Sequence, residues 1–203
     1  GAGDDPAMTD ALKRVTALAG EDQFVALIDR VLAEQGRLSR ALAEAGGIDG
    51  LAGRVHDALG VDPSDTRERL LHAACEDGAF DADGLQVALN GLLTGTAKER
   101  ETSAPVLKAW LDAGPDERVA MFDRYAGLFL TQAGEIRKNL LTKAAAGVPG
   151  ALDAMTAEAQ RIAALRERMN AADIAQGTVG LLRLGTAILD AYHRRKRARA
   201  NLD

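Results

Sequence analysis

Aromatic residues make up only 3% of this 203-residue chain, and cysteine occurs once, at Cys75. With so few rings, the core has to be filled by alanine and γ-branched aliphatics, which favour helices over sheets. A lone cysteine excludes an intramolecular disulfide framework and fits a reducing, cytoplasmic setting. No run approaches the roughly 18 apolar residues of a membrane-spanning helix, and the N-terminal residues lack a basic stretch followed by an apolar one, so no membrane partner is expected. A basic excess is also lacking, with 25 Lys and Arg against 30 Asp and Glu. The net charge of −5 argues against a free-standing, high-affinity nucleic-acid binder, so any basic surface must be local.

What is present is an ordinary globular balance of 47% hydrophobic and 27% charged residues, enough for one sizeable core or two small ones. Residues 1–7, rich in Gly, Asp and Pro before Met8, read as a cloning scar. From there the apolar spacing is helical. Thr9 caps a helix with Leu12, Val15 and Leu18 that Gly20 stops, and Phe24, Leu27, Ile28, Val31 and Leu32 form the stripe of the next. Gly46, Gly47 and Gly50 loosen a connection to a short helix with Leu51, Val55, Ala58 and Leu59, ended by Gly60. Asp62 to Thr66 is a turn and cap, with Pro63 placed in the first turn of a helix running to about Glu76. A further helix begins near Asp81 and ends at Gly95. The polar stretch from Thr96 to Ser103 is expected to be mobile or exposed. Val106, Leu107, Trp110 and Leu111 lie on a helix that Gly114-Pro115 ends, and Met121, Phe122, Tyr125 and Phe129 concentrate the aromatics. After the basic segment to Lys143, Pro149 precedes a helix with Leu152, Met155, Ala159, Ile162 and Leu165, and a separate long helix is expected from Ala171 to about Arg199. Gly177, Gly180 and Gly185 would weaken that helix or allow close packing. The expectation is an all-α, irregular multi-helix bundle over residues 8–203, bilobed near residue 100 if it divides at all.

Tests for chemistry mostly fail. Gly91-Leu-Leu-Thr-Gly-Thr-Ala-Lys98 has the wrong spacing for a phosphate loop and no preceding strand, so Gly95 is read as a helix stop. His72 and Cys75 lie one turn apart, but no second pair with ligand spacing completes a metal site. Cys75 is read as a small buried hydrophobe, and His56 and His193 are isolated. No convergent acid, base, nucleophile or metal set supports a stand-alone enzyme, so no catalytic residue is assigned. Two basic features remain: Arg137, Lys138 and Lys143 with nearby Thr131, and the run Arg194, Arg195, Lys196, Arg197 and Arg199. Both suit phosphate contact that reads no sequence, although cations at a helix C-terminus are also favoured by the macrodipole.

The stretch Leu128-Phe-Leu-Thr-Gln-Ala-Gly-Glu-Ile-Arg-Lys-Asn-Leu-Leu-Thr-Lys143 resembles the Phe-Leu-Thr…Gly-Glu-x-Arg-Lys-x-Leu-x-Thr-Lys segment of the AddA family, the helicase and nuclease subunits of bacterial double-strand-break repair. His72-Ala-Ala-Cys-Glu-Asp-Gly-Ala-Phe80, Ala17-Leu-Ala-Gly-Glu-Asp-Gln-Phe24, Ala191-Tyr-His-Arg-Arg-Lys196 and Asn201-Leu-Asp203 follow the family's order. The resemblance covers nearly everything after Met8. It implies the helical insertion called subdomain 1B of a UvrD-like superfamily 1 helicase, inserted between two parts of the first motor domain.

The resemblance further implies that ATP and Mg²⁺ belong to the parent protein. The Walker A loop, the Asp-Glu magnesium motif, the arginine fingers and the nuclease carboxylates are missing from this sequence. It implies a supporting role beside the DNA path, with double-stranded DNA ends engaged through the parent and an AddB-like subunit as partner. Backbone-directed contact by Thr131, Arg137, Lys138 and Lys143 is one reading; a spacer or docking module for that subunit is the other.

Overall fold

In this computed structural model the described residues are 29–30 and 33–200. Their regular structure is helical, with no strand among them beyond one isolated antiparallel bridge, as the alanine-rich, ring-poor composition favours. The two helices expected before Gln35 fall almost wholly outside the described residues. The α-helices are α1 (Gln35–Ala45), α2 (Ile48–Leu59), α3 (Arg67–Cys75), α4 (Ala82–Thr94), α5 (Ala104–Asp112), α6 (Pro115–Ala126) and α7 (Ala151–Ala200), with a π-helical turn at Glu99–Ser103 and a 3₁₀ turn at Ala145–Gly147.

The chain divides into two compact units. One is Asp65–Asn170; the other takes in the described residues up to Ser64 and those from Ala171 on. Residue 100 lies inside the first of these.

In the unit that takes in the described residues up to Ser64, α1 packs on α2. Both helices end at a glycine in the left-handed region, Gly46 at φ 75° and Gly60 at φ 65°, a conformation that costs a side-chain-bearing residue about 1 kcal/mol or more. The freed carbonyls are capped in turn: Gly47 N–H donates to Leu42 O at 2.8 Å and Val61 N–H to His56 O at 3.1 Å, the pattern of a Schellman close. Ala52, Val61, Ala175, Val179, Leu184 and Leu189 are buried here. A Cβ at Gly177 or Gly180 would meet nothing within 4 Å among the described residues.

In Asp65–Asn170, the starts of α3 and α4 are each marked by a capping side chain. The Thr66 hydroxyl accepts from Arg69 N–H at 3.0 Å and the Asp81 carboxylate from Gly84 N–H at 2.9 Å, each satisfying one orphan donor. Pro63 lies before Thr66, outside the helix it was expected to open, because Thr66 takes the cap. Pro115 occupies the first turn of α6, where its missing N–H costs nothing. Helix α3 packs on α6, α5 on both α4 and α6, and α4 on the 3₁₀ and π turns.

The aromatics gather at the centre of this unit. Trp110 and Tyr125, both fully buried, stack at 3.7 Å and 5°, and Phe129 meets Tyr125 edge-on at 5.1 Å. Arg118, 5% exposed, donates to Cys75 O and Trp110 O, both at 3.1 Å, and lies over the Phe80 ring. One guanidinium thus satisfies carbonyls in the last turns of α3 and α5. Cys75 is fully buried, as expected, and burial pushes its thiol up to about 11 against the opposing charges of Arg161 and Arg118.

One sequence expectation is corrected and another refined. The helices placed on either side of Arg166–Asn170 are one 50-residue helix, α7. Nothing in that interval breaks a helix: Met169 is buried, and the Asn170 side chain is held by Arg67 Nη2 at 3.0 Å. The stretch Thr96 to Ser103, expected to be mobile or exposed, is exposed at six of its eight residues, but from Ala97 it is helical, runs straight into α5 and buries Glu99 to 7% exposure.

Candidate nucleic-acid interface

The segment from Leu128 to Lys143 departs from helix because α6 stops at Ala126 and the chain turns back on itself. Leu130 and Ile136 form an antiparallel bridge. Thr131 N–H donates to Glu135 O and Arg137 N–H to Phe129 O, both at 2.8 Å, and Gly134 at φ 85° makes the bend. Phe129 and Leu130 anchor the base of this hairpin in the core, 0% and 2% exposed. The candidate side chains of this segment therefore sit on irregular backbone held by a helical scaffold.

From Leu140 the chain is fastened a second time. The Glu99 carboxylate accepts Thr142 N–H at 2.8 Å and the Thr142 hydroxyl at 2.6 Å. It also accepts Thr96 N–H at 2.8 Å and the Thr96 hydroxyl at 3.0 Å, while Glu99 N–H approaches the Thr96 hydroxyl at 3.4 Å. The last two backbone contacts make a capping box, Thr96-x-x-Glu99. Burial alone would raise the Glu99 carboxyl; the donors from Thr142 and then Thr96 outweigh it and hold the group at about 2, against 4.5 normally. Gly95 leaves the room this requires, since a Cβ there would collide with Glu99 Oε2.

Between the clasped segment and the π turn lies a groove of about 640 Å³. Lys98, Arg137 and Lys143 supply its cations, Thr102, Ser103 and Asn139 its neutral polar groups, and Leu128, Leu140 and Leu141 its apolar lining. None of the three cations pairs with a carboxylate among the described residues, although Arg137 Nε donates to Gly127 O at 3.0 Å. No aromatic ring lines it. A second groove, about 910 Å³, runs between α3, α6, α7 and the hairpin tip, but its carboxylates outnumber its cations: Arg67 and Arg166 face Asp123, Glu135 and Glu167, and Arg166 pairs with Asp123 at 3.2 Å.

Of the residues singled out from sequence, Arg137 and Lys143 meet in the first groove. Lys138 is exposed but lines neither groove. Thr131 shares a smaller pocket, about 180 Å³, with Arg137 and Arg166, and its hydroxyl accepts Glu135 N–H at 3.3 Å. Arg194, Arg195, Lys196 and Arg197 are exposed on the last turns of α7, in the other unit. Lys98 and Glu99 were passed over in the sequence. The Thr96-x-x-Glu99 signature would have located the second of them.

Among the described residues no group of three His, Cys, Asp or Glu side chains could hold a metal ion, and no helix is long and apolar enough to cross a membrane. Comparison with protein-family models, with curated proteins and with solved structures finds no match.

Proposed function

We propose that the chain is a helical accessory subdomain of an AddA-like, ATP-dependent DNA helicase and nuclease that unwinds and resects DNA ends, and that it contacts the duplex along its phosphates without reading bases. The reading rests on one observation above the others: Lys98, Arg137 and Lys143 line one groove with hydroxyl and amide donors, none of the three is paired with a carboxylate among the described residues, and the one carboxylate of the lining, Glu99, is taken up by Thr96 and Thr142. Such a surface offers charge and hydrogen bonds to phosphate oxygens. Without an exposed ring it has no platform for stacking unpaired bases. The acidic remainder of the chain confines attraction to the basic strip. Catalysis, with ATP and Mg²⁺, lies in this reading with the parent protein, which would work in the cytoplasm. Arg194, Arg195, Lys196 and Arg197 are a second phosphate-contact candidate, with Thr131 and Lys138 flanking the first.

The rival reading, docking onto an AddB-like subunit, draws on Leu93 and Leu152, 51% and 45% exposed, in the region where Gly91 of α4 packs against Ala151 of α7. The triple variant Lys98→Glu/Arg137→Glu/Lys143→Glu separates the two. Loss of three phosphate contacts is expected to weaken duplex binding by about a hundredfold at moderate salt, with the melting temperature little changed because all three are surface groups. Unchanged binding with a folded variant sinks the DNA reading.

A further inference from the structure

Resting on that reading of the groove, we infer that Glu99 is a positioning residue: its carboxylate clasps Thr142 to the helix start at Thr96 and so presets the spacing between the Lys143 segment and the Lys98 turn.

The geometry is unusual for a capping box. Such a carboxylate ordinarily serves one local N–H, whereas Glu99 takes two further donors from Thr142, 43 residues on. Thr142 immediately precedes Lys143, and Lys98 immediately precedes Glu99, so one buried carboxylate next to Lys98 holds the neighbour of Lys143, and both lysines line the groove. The π turn Glu99–Ser103 places Thr102 and Ser103 along the same groove, and such turns recur where a helix is re-aimed for binding. Ordering two lysine-bearing segments before a ligand arrives removes part of the entropy cost of binding it.

The opposite expectation is just as definite for a bystander. If Glu99 acted only as a negative charge near phosphates, neutralising it would tighten DNA binding. Positioning predicts that binding weakens.

The test uses the full chain with a fluorescently labelled blunt-ended DNA duplex. Glu99→Gln places an amide N–H₂ against the threonine donors, and Thr142→Val removes one donor while keeping shape. Each is expected to lower affinity about fivefold to tenfold, as for losing hydrogen bonds to a charged group, and to reduce the salt slope by about one phosphate contact. Thr142→Ser, which retains both donors, should bind as wild type. Thermal melting reports folding, and Thr142→Val carries the test if Glu99→Gln does not fold. Glu99→Gln binding as tightly as wild type or tighter, or Thr142→Val with unchanged affinity and slope, overturns the inference. If the triple charge reversal weakens binding and these variants do not, the positioning role alone fails; if the triple reversal has no effect, the groove reading fails with it.

Discussion

Replacing Trp110 with alanine is expected to destabilise the Asp65–Asn170 unit by about 3 to 5 kcal/mol, the usual cost of emptying a buried indole site. Trp110 has no exposed surface and stacks on Tyr125, with Phe80 at 5.6 Å and Phe122 at 6.4 Å. The rings come from α5, α6 and the turn after α3, so none can shift to fill the space without moving a helix. One effect opposes the loss. The indole N–H is buried and finds no acceptor among the described residues, and removing an unsatisfied donor returns about 1 kcal/mol or more. Trp110→Phe therefore costs much less than Trp110→Ala, since it keeps a ring and discards the donor. Because Trp110 is the single tryptophan, urea unfolding should be followed by circular dichroism. A Trp110→Ala loss below about 1 kcal/mol would contradict the aromatic centre described above.

The second large effect is expected at Glu158. This carboxylate is 5% exposed and accepts the Tyr125 hydroxyl at 2.6 Å and Arg161 Nη2 and Nε at 2.7 Å each. Arg161 also donates to Ala74 O at 3.2 Å, tying α7 to α3. Burial and then the Glu158 charge drive the Tyr125 hydroxyl far above its ordinary range; burial lowers the Arg161 guanidinium, but the Glu158 hydrogen bond and charge outweigh it and raise it. Both donors are thus fixed as donors at neutral pH. Glu158→Ala strands them and should cost about 3 kcal/mol, at the low end for a broken buried pair because the Arg161 side chain keeps 24% of its exposure. Adding Arg161→Met to Glu158→Ala should recover a good part of that loss, since the stranded charge is the main penalty. A double variant less stable than Glu158→Ala alone would show that the pair contributes through packing instead.

Much of the scaffold is written locally. Thr66, Asp81, Gly60 and Pro115 each act within a turn or two of the residue they cap, so spacing alone finds them. The long helix was split in reading because the apolar stripe thins between Leu165 and Ile174, where Met169 and Ala172 carry the burial instead. The burial of Glu99 within Thr96 to Ser103 has a different origin. Polarity and Gly95 mark the stretch as exposed, as six of its eight residues are, and the exception comes from a partner far along the chain, since Thr142 donates twice to the Glu99 carboxylate. Lys98 was missed for the same reason. Its significance comes from facing Arg137 and Lys143 across a groove, and no periodicity records a meeting of residues about forty positions apart. Cys75 was read correctly because burial of a lone small side chain needs no distant information.

The measurement that bears most directly on the account is the salt dependence of duplex binding by the full chain, wild type beside the Lys98→Glu/Arg137→Glu/Lys143→Glu variant. Each phosphate contact contributes about −0.9 to the slope of log affinity against log salt. The account predicts that the wild-type slope is steeper than that of the variant by about 3. Two parallel lines, or a wild-type affinity that does not respond to salt, would contradict it.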